Sequence, residues 1–494
     1  MRYILAIDQG TSSTKTLLFD EEGKPFAKGS EPLKTAYLEN GFVEQVPEEI
    51  FQNVLASVKQ CLNDFTSKGG ELNDIIAIGI SNQRETFVLW DESGRPLHDA
   101  VVWQCKRSIN ICKRWEGSGY GQMINSKTGL LIDPYFSGSK IVWLYENNEK
   151  VRITIDAGAA YFGTVDTWLL YRLTNGASYF TDYTNASRTL FFNLDELAWD
   201  KELLTTFGLA KLLLPAPKAS SSFFGETTLD GLLPKAVPIT GMIGDSHAAA
   251  FGEGCFTPGT AKATLGTGCS VIMNTGEQLR QSQNGMVTTI CWSTEEIVQY
   301  ALEGLIVTCG ATVEWLKNSL ELFADSKQTS DIAFSVTDNA GVYLVPAFSG
   351  LGAPYWDMNR KATITGLTFG TTKAHIIRAA LESIAYQIKD VLVAMEDDAN
   401  LQLEQLMVDG GITSNEFVIK FLTDLVDKPV VNIGQSDVSA LGAAYMAGLK
   451  VGLFKDINQL VQLSKQKKIY KPSGSSPMTA YHEGWKKAIA SNPN

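Results

Sequence analysis

Ala6-Ile7-Asp8-Gln9-Gly10-Thr11-Ser12-Ser13-Thr14-Lys15 is the stretch on which the reading of this chain turns. The apolar run from Tyr3 to Ile7 predicts a buried strand, and a carboxylate stands at its end. A glycine turn lined with hydroxyls follows, and a second apolar run, Thr16 to Phe19, completes a hairpin. Backbone N–H groups in such a turn can cradle phosphate oxygens, and an acid beside them can hold a hydrated Mg2+. Gly and Ser are also ordinary turn residues, so this hairpin alone leaves a plain tight turn open.

The theme returns in the second half. Lys262-Ala-Thr-Leu-Gly266-Thr267-Gly268-Cys-Ser270-Val-Ile-Met273 is again strand, glycine–hydroxyl turn, strand. Two such hairpins predict a duplicated α/β unit with a nucleotide held between the copies. Further strands are expected near 76–81 and 86–90, with a helix over 48–66. Val237 to Gly244 reads as a strand that ends on Asp245. Residues 374–396 carry apolar positions at helical spacing with no Gly or Pro, and predict a long helix. Leu406-Met-Val408 runs as a strand into Asp409-Gly410-Gly411, and Ser439 to Gly448 reads as a closely packed helix of small residues. The end of the chain, Lys486 to Asn494, is expected to fray. The division falls into domains at 1–248 and 249–494, packed around a hinge.

At 494 residues the chain is too long for one core, which agrees with two domains. Its 44% hydrophobic and 19% charged residues are those of a globular protein. A net charge of −12 argues against a nucleic-acid or anionic-membrane partner. No apolar run has the length of a membrane span, and the N-terminus does not resemble a secretory signal. Seven scattered cysteines without a C-x-x-C suit reduced thiols in a cytoplasm. The four histidines (His98, His247, His375, His482) show no metal-ligand spacing, so zinc is not expected. Composition does not decide between a monomer and a homo-oligomer.

Taken in order along the chain, the motifs resemble the FGGY family of carbohydrate kinases, and most of all its glycerol kinases. They are Asp8-Gln-Gly-Thr-Ser-Ser13, Asn82-Gln83-Arg84-Glu85-Thr86, Trp103-Gln-Cys105, Asp133-Pro-Tyr135-Phe136-Ser-Gly-Ser-Lys140 and Phe162-Gly-Thr-Val-Asp166-Thr-Trp168. Thr181-Asp-Tyr-Thr-Asn-Ala-Ser187-Arg188, Gly266-Thr-Gly268, Pro346 to Asp357 and Asp409-Gly-Gly411 complete the set. The resemblance implies an α/β, actin-like ATPase (ribonuclease H-like) fold, with two duplicated domains and an inter-domain cleft. It implies phosphorylation of a polyol hydroxyl, glycerol foremost, with ATP and Mg2+ as cofactors and a small polyol or sugar as partner.

Thr11, Ser12 and Ser13 in the first turn, and Gly266 and Thr267 in the second, would approach the phosphates from opposite domains. Lys15, where many relatives have Arg, would neutralise phosphate charge without the planar fork of a guanidinium. Gly410 and Gly411 would let the backbone lie against adenosine where a Cβ would collide; the resemblance adds Gly310 and Asn415 near the nucleotide. Asp8 and Asp245 are the metal candidates. Asp245 is also the expected general base, accepting the substrate proton late in a loose transition state; capping of the helix that follows it is the competing reading. Arg84 and Glu85 form an adjacent charge pair whose partners a polyol would supply. By the resemblance, Trp103 would pack on the carbon skeleton and Tyr135 would offer its hydroxyl.

Two positions depart from the glycerol-kinase pattern. Ser246-His247 stands where those enzymes usually carry a Gln pair, and Ser270 where they carry an aromatic. Smaller polar residues there open a second reading: a larger polyol or ketose, such as erythritol, threitol, xylitol or xylulose. A third reading, from another class, is a non-catalytic actin-like ATPase switch. It has no evident use for Arg84, Glu85, Trp103, Tyr135 or Asp245.

Overall fold

The structure is a computed structural model that describes residues 1–463, 467–474 and 478–491. The first half is built on a six-stranded sheet of β1 (Tyr3–Gln9), β2 (Ser13–Phe19), β3 (Pro25–Pro32), β4 (Ile75–Asn82), β5 (Ser221–Thr227) and β6 (Val237–Gly244). Its spatial order is β5-β6-β4-β1-β2-β3. The second half carries a seven-stranded sheet of β7 (Thr260–Leu265), β8 (Cys269–Gly276), β9 (Val287–Ser293), β10 (Val298–Ile306), β11 (Gln405–Asp409), β12 (Val430–Asn432) and β13 (Lys468–Tyr470). Its order is β9-β10-β8-β7-β11-β12-β13.

The two orders superpose. In each sheet a glycine-turn hairpin (β1–β2, β7–β8) runs antiparallel into a further strand on one side. On the other side the first strand of the hairpin lies parallel to its neighbour (β4, β11), which lies parallel to the next (β6, β12). This is the duplicated α/β arrangement the two hairpins predict, in the actin-like form the resemblance implies. Strands buried on both faces read as the continuous apolar runs seen at 76–80 and 406–408.

Helices close the faces: α1 (Pro47–Ser67), α2 (Asp245–Glu253), α3 (Gly310–Asn318), α4 (Lys373–Ala399), α5 (Glu416–Val426), α6 (Val438–Lys450) and α7 (Met478–Ala490). Helix α1 covers the outer face of the first sheet and α4 the outer face of the second. Between the sheets lie α2 and α6, whose residues share one core with Ala6 and Ile243 of the first sheet and Ile272 and Met407 of the second. Helix α2 spans residues 248 and 249. Helix α7 continues through Ala490, so 486–490 are ordered where fraying is expected; Trp485 and Ala488 on it are buried against the second core. Residues 492–494 of that expectation lie outside the described residues.

The central layer is close because its side chains are small. A Cβ on Gly442 of α6 would lie 1.9 Å from the Ala248 carbonyl oxygen of α2, and one on Gly79 of β4 would lie 2.2 Å from the Ala443 carbonyl oxygen. Gly442→Val therefore has to part the two helices, and overpacking of this kind costs about 1–3 kcal/mol or more. Its urea midpoint should fall clearly below that of the wild type. Gly117→Ala, where an added Cβ meets nothing within 4 Å, should leave the midpoint in place; equal midpoints for the two variants would refute the close-packing argument.

Candidate functional site

Strands β1, β4 and β6 are parallel and in register: Asp8 lies opposite Ser81, Ser81 opposite Ile243, and Asn82 opposite Gly244. Their carboxyl ends therefore finish in one row, which is where open α/β sheets present ligand crevices. Asp8, the segment Asn82 to Glu85, and Asp245 come together there.

Asp245 opens α2, and its carboxylate accepts from the Ser246 backbone N–H at 2.6 Å. It lies 3.3 Å from Arg84 Nε, and its side chain is 38% exposed. The competing capping reading is not met: Gly244 is the N-cap residue of α2 and no side chain caps the helix, so Asp245 bonds only the adjacent N–H. Asp8 accepts a hydrogen bond from Ser81 Oγ at 3.1 Å. Burial, and then the Asp245 charge, push its pKa up to about 7. Among the described residues no group of three or more His, Cys, Asp or Glu side chains is arranged to hold a metal. Two mutually repelling carboxylates nevertheless fit Mg2+, which uses one or two protein acids and takes its other ligands from phosphate and water.

Arg84 and Glu85 are buried, at 4% and 1% exposure, and Glu85 has a left-handed backbone, φ 60°. The expectation that a polyol supplies their partners needs correcting, because the protein already supplies charged ones. Arg84 Nη1 and Nη2 donate to Glu303 Oε2 and Oε1 at 3.1 and 2.8 Å. Arg188 donates from Nε to Glu85 Oε1 at 2.5 Å and from Nη1 to Glu303 Oε2 at 2.6 Å. Burial alone would raise the pKa of Glu303, but Arg188 and Arg84 hold it well below the carboxylate range. The sequence reading gave no role to Arg188 or Glu303. A signal for Glu303 existed: a lone acid inside the apolar run 300–306 needs a buried partner.

Trp103 Nε1 donates to Thr11 Oγ1 at 2.9 Å, tying the first turn to this cluster. Its ring lies 5.4 Å from that of Tyr135, tilted by 62°. Buried Lys140, whose pKa burial pulls down to about 8, donates to the backbone carbonyls of Trp103 and Tyr135 at 3.2 and 2.7 Å. Ser270 Oγ donates to Glu303 Oε1 at 3.1 Å, so its hydroxyl is engaged. Half-buried Ser246 follows Asp245 on α2. His247 is fully buried with no hydrogen bond to either ring nitrogen; burial, then Arg84, hold it well below the imidazole range, so the ring is neutral.

The first turn is anchored inward: Thr11 Oγ1 donates to Gln83 Oε1 at 3.3 Å while holding Trp103, Thr11 O accepts from Gln45 Nε2 at 2.8 Å, and Ser12 O accepts from the Leu33 N–H at 2.9 Å. Ser12 is exposed, and Thr11 and Ser13 are half-buried. Lys15 is partly exposed and held by an acid. Its Nζ lies 3.0 Å from Asp437 Oδ1, and Lys28 Nζ lies 2.7 Å from Oδ2 of the same acid. Two ammonium groups share one carboxylate, so the trio keeps one net positive charge beside the first turn.

In the second half a cavity of about 710 Å³ is lined by Gly266, Thr267, Gly310, Gly411, Ile412 and Asn415, among others. That is within the range of small-molecule sites. The Gly310 N–H, at the start of α3, donates to Gly266 O at 2.9 Å, and a Cβ at 310 would lie 2.7 Å from that oxygen. Two expectations change here. Gly410 (φ 92°) needs to be glycine because a Cβ would lie 2.5 Å from Leu265 O, the protein's own backbone, whereas a Cβ at Gly411 would meet nothing within 4 Å. Asn415 lines the cavity with its amide already spent, capping α5 through Val418 N and donating to Thr329 Oγ1 at 2.9 Å.

Comparison with known proteins agrees with this geometry. Residues 3–252 match the N-terminal domain of the FGGY family of carbohydrate kinases, and residues 261–451 match its C-terminal domain. Glycerol kinase 2 of Thermotoga maritima is 44% identical over 99% of this chain and 98% of its own length. The glycerol kinase of Fusobacterium nucleatum is 45% identical over 99% and 98%. The crystal structure of Plasmodium falciparum glycerol kinase with ADP is similar at a TM-score of 0.94 and 35% identity, covering 99% of this chain and 98% of that one. With both domains matched in order and relatives similar from end to end, the chain belongs to the FGGY family of carbohydrate kinases.

Proposed function

We propose that this protein is a glycerol kinase, transferring the terminal phosphoryl group of ATP to a hydroxyl of glycerol to give glycerol 3-phosphate. The observation that carries the reading is the placement of Asp245. It is a partly exposed acid that follows the end of β6, 3.3 Å from Arg84 Nε and close enough to Asp8 for its charge to raise that acid's pKa. Full-length similarity to glycerol kinases supports the substrate. The larger-polyol reading is not favoured, since the relatives 44% and 45% identical over 99% of this chain are glycerol kinases. The switch reading is not favoured either, because buried charges at a cleft are costly without a ligand to serve.

In this reading residues 1–248 bind the polyol and carry the first phosphate turn, residues 249–494 bind ATP, and α2 spans the division. Through the atoms that Glu303 and Arg188 leave open, Nε of Arg84 and Oε2 of Glu85, these two residues exchange hydrogen bonds with glycerol hydroxyls; Trp103 covers the carbon chain, and Tyr135, Ser246 and Ser270 line the remaining wall. Thr11, Ser12, Ser13, Gly266 and Thr267 flank the phosphates, and Gly310, Gly410, Gly411 and Asn415 shape the nucleotide cavity. Asp245 orients the attacking hydroxyl and takes its proton as the bond forms. Mg2+, held by Asp8 and Asp245 through water, would neutralise charge on the phosphates. Closing the halves would keep water from the reacting phosphate. The composition and the seven unpaired, buried cysteines support a cytoplasmic location. No helix among the described residues is long and apolar enough to cross a membrane.

Steady-state ATP-dependent phosphorylation of glycerol, erythritol, threitol, xylitol and xylulose tests the substrate: glycerol should lead in kcat/KM, and a clear lead for another polyol overturns the assignment. Asp245→Asn should lower kcat about 10²- to 10⁴-fold while the protein still binds ADP; a near-wild-type rate would remove Asp245 as the base.

Asp8 yields a pH-dependent outcome. Its carboxyl ionises at about 7 when folded, against 3.8 as the ordinary value. Between those values the native state holds the extra proton. Its stabilising contribution is therefore complete below the lower value and is lost as pH rises through the upper one. In the absence of divalent cations, Asp8→Asn should thus be more stable than wild type at pH 8 by a few kcal/mol. The gap should narrow toward pH 5; phosphoryl transfer, assayed separately with Mg2+ present, should be abolished in Asp8→Asn. Urea unfolding across that range reads it, and a gap that widens on acidification contradicts the assigned environment.

A further inference from the structure

We infer that Glu303 and Arg188 are positioning residues for the polyol, and that Glu303, from the second half, completes a binding surface otherwise built by the first. The inference rests on the glycerol-kinase reading and extends it to two residues outside the expected site. Five charged groups alternate in sign along one line: Asp245 to Arg84 at 3.3 Å, Arg84 to Glu303 at 2.8 Å, Glu303 to Arg188 at 2.6 Å, and Arg188 to Glu85 at 2.5 Å. The proposed base stands at one end and the proposed hydroxyl acceptor at the other. Glu303 is the middle member and the only one on the second sheet.

Each contact restricts an orientation. Glu303 lies in β10 opposite Ile272, whose side chain belongs to the core between the halves, so its carboxylate projects toward the first half. It accepts four hydrogen bonds: from Arg84 Nη2 and Ser270 Oγ on Oε1, and from Arg84 Nη1 and Arg188 Nη1 on Oε2. A guanidinium gripped through both Nη atoms cannot turn about its own axis. Arg84 is thereby left presenting its Nε edge to Asp245 and the cleft. Arg188 is fully buried, with Phe136 5.1 Å and Tyr135 5.9 Å from its Cζ, and its Nε takes only Oε1 of Glu85. Without Glu303 the two guanidinium groups would be buried like charges with nothing between them, and both would move away from the geometry a polyol meets.

The site is therefore complete only while the two sheets stand at this separation. Opening the cleft would withdraw Glu303 from both arginines, so polyol affinity and closure are linked through one carboxylate. Neighbouring His247 is neutral and supplies no compensating charge.

Kinetics on the full-length protein, using whichever polyol of the panel above the wild type turns over best, test this separately from the choice of substrate. Glu303→Gln keeps the shape and removes the charge. Its KM for the polyol should rise about tenfold or more, with the KM for ATP within about twofold of wild type. Arg188→Lys keeps one charge without the fork that joins Glu85 to Glu303, and should fall between wild type and Arg188→Met. Ser270→Ala removes one of four donors and gives a smaller rise in polyol KM; it serves as the readout if Glu303→Gln does not fold. The inference is overturned if folded Glu303→Gln keeps the wild-type polyol KM, or if polyol and ATP KM rise together in these variants. A wild type that turns over no glycerol would count against the proposed function alone.

Discussion

The distance between the two sheets is set by backbone touching backbone. Helices α2 and α6 approach so closely, at Gly442 against Ala248, that no Cβ fits between them. Such a contact cannot be compressed, because it meets main-chain atoms, so it fixes how closely the halves stand at the hinge while the rim of the cleft is left free to open and shut about it. The closed cleft inherits this spacing. Asp245 is the first residue of α2, and the sheets on either side of the helix pair carry Arg84 and Glu303, which meet within hydrogen-bond distance. A small-residue seam in the core thus decides whether opposite charges at the rim can pair.

Those charges would be a poor choice if stability were their only task. Burying an ion pair typically costs as much in lost hydration as it gains, and an apolar packing of the same volume would serve the fold as well or better. A protein that keeps Arg84, Arg188, Glu85 and Glu303 buried together uses them for direction: each fixes the orientation of the next. The same reasoning applies to Asp166 and Asp182 beneath them. Asp182 accepts from Thr184 and Asn185, and Thr184 Oγ1 in turn accepts from the Gly244 N–H at 2.8 Å, one residue before Asp245. A buried acid there anchors the short turn that leads to Arg188 as well as the end of β6.

The sequence made the duplicated fold readable because its signals are local. Two glycine–hydroxyl hairpins, apolar runs of strand length and a long uninterrupted helix each depend on neighbours a few residues apart, and all appear in the structure. The resemblance named Arg84, Glu85, Trp103, Tyr135 and Asp245; the structure sets Asp245 against Arg84 and packs Trp103 against Tyr135, whose ring faces the Arg188 that holds Glu85. What stayed hidden depends on distant partners. Lys15 reads as a free cation until Asp437, 422 residues later, is seen against it. Arg84 reads as needing a ligand until Glu303 is found 219 residues away. Gly410 carries a signal for a constrained turn, but the sequence does not say that Leu265 imposes it. Local chemistry can announce that a buried charge needs a partner; only the fold names it.

Each glycine hairpin reaches into two places. On the second, Gly266 and Thr267 line the cavity of about 710 Å³, and three residues after Thr267, Ser270 bonds Glu303 of the buried charge cluster. On the first, Thr11 of the turn holds Trp103. A strand pair is stiff along its length, because ladder bonds fix each residue relative to the next. A shift of the second turn is therefore felt at Ser270 through the strand itself, whereas a shift of the first reaches Trp103 across the Thr11 hydrogen bond. The two links differ in stiffness, because a ladder-bonded strand transmits a displacement that a single side-chain hydrogen bond can absorb.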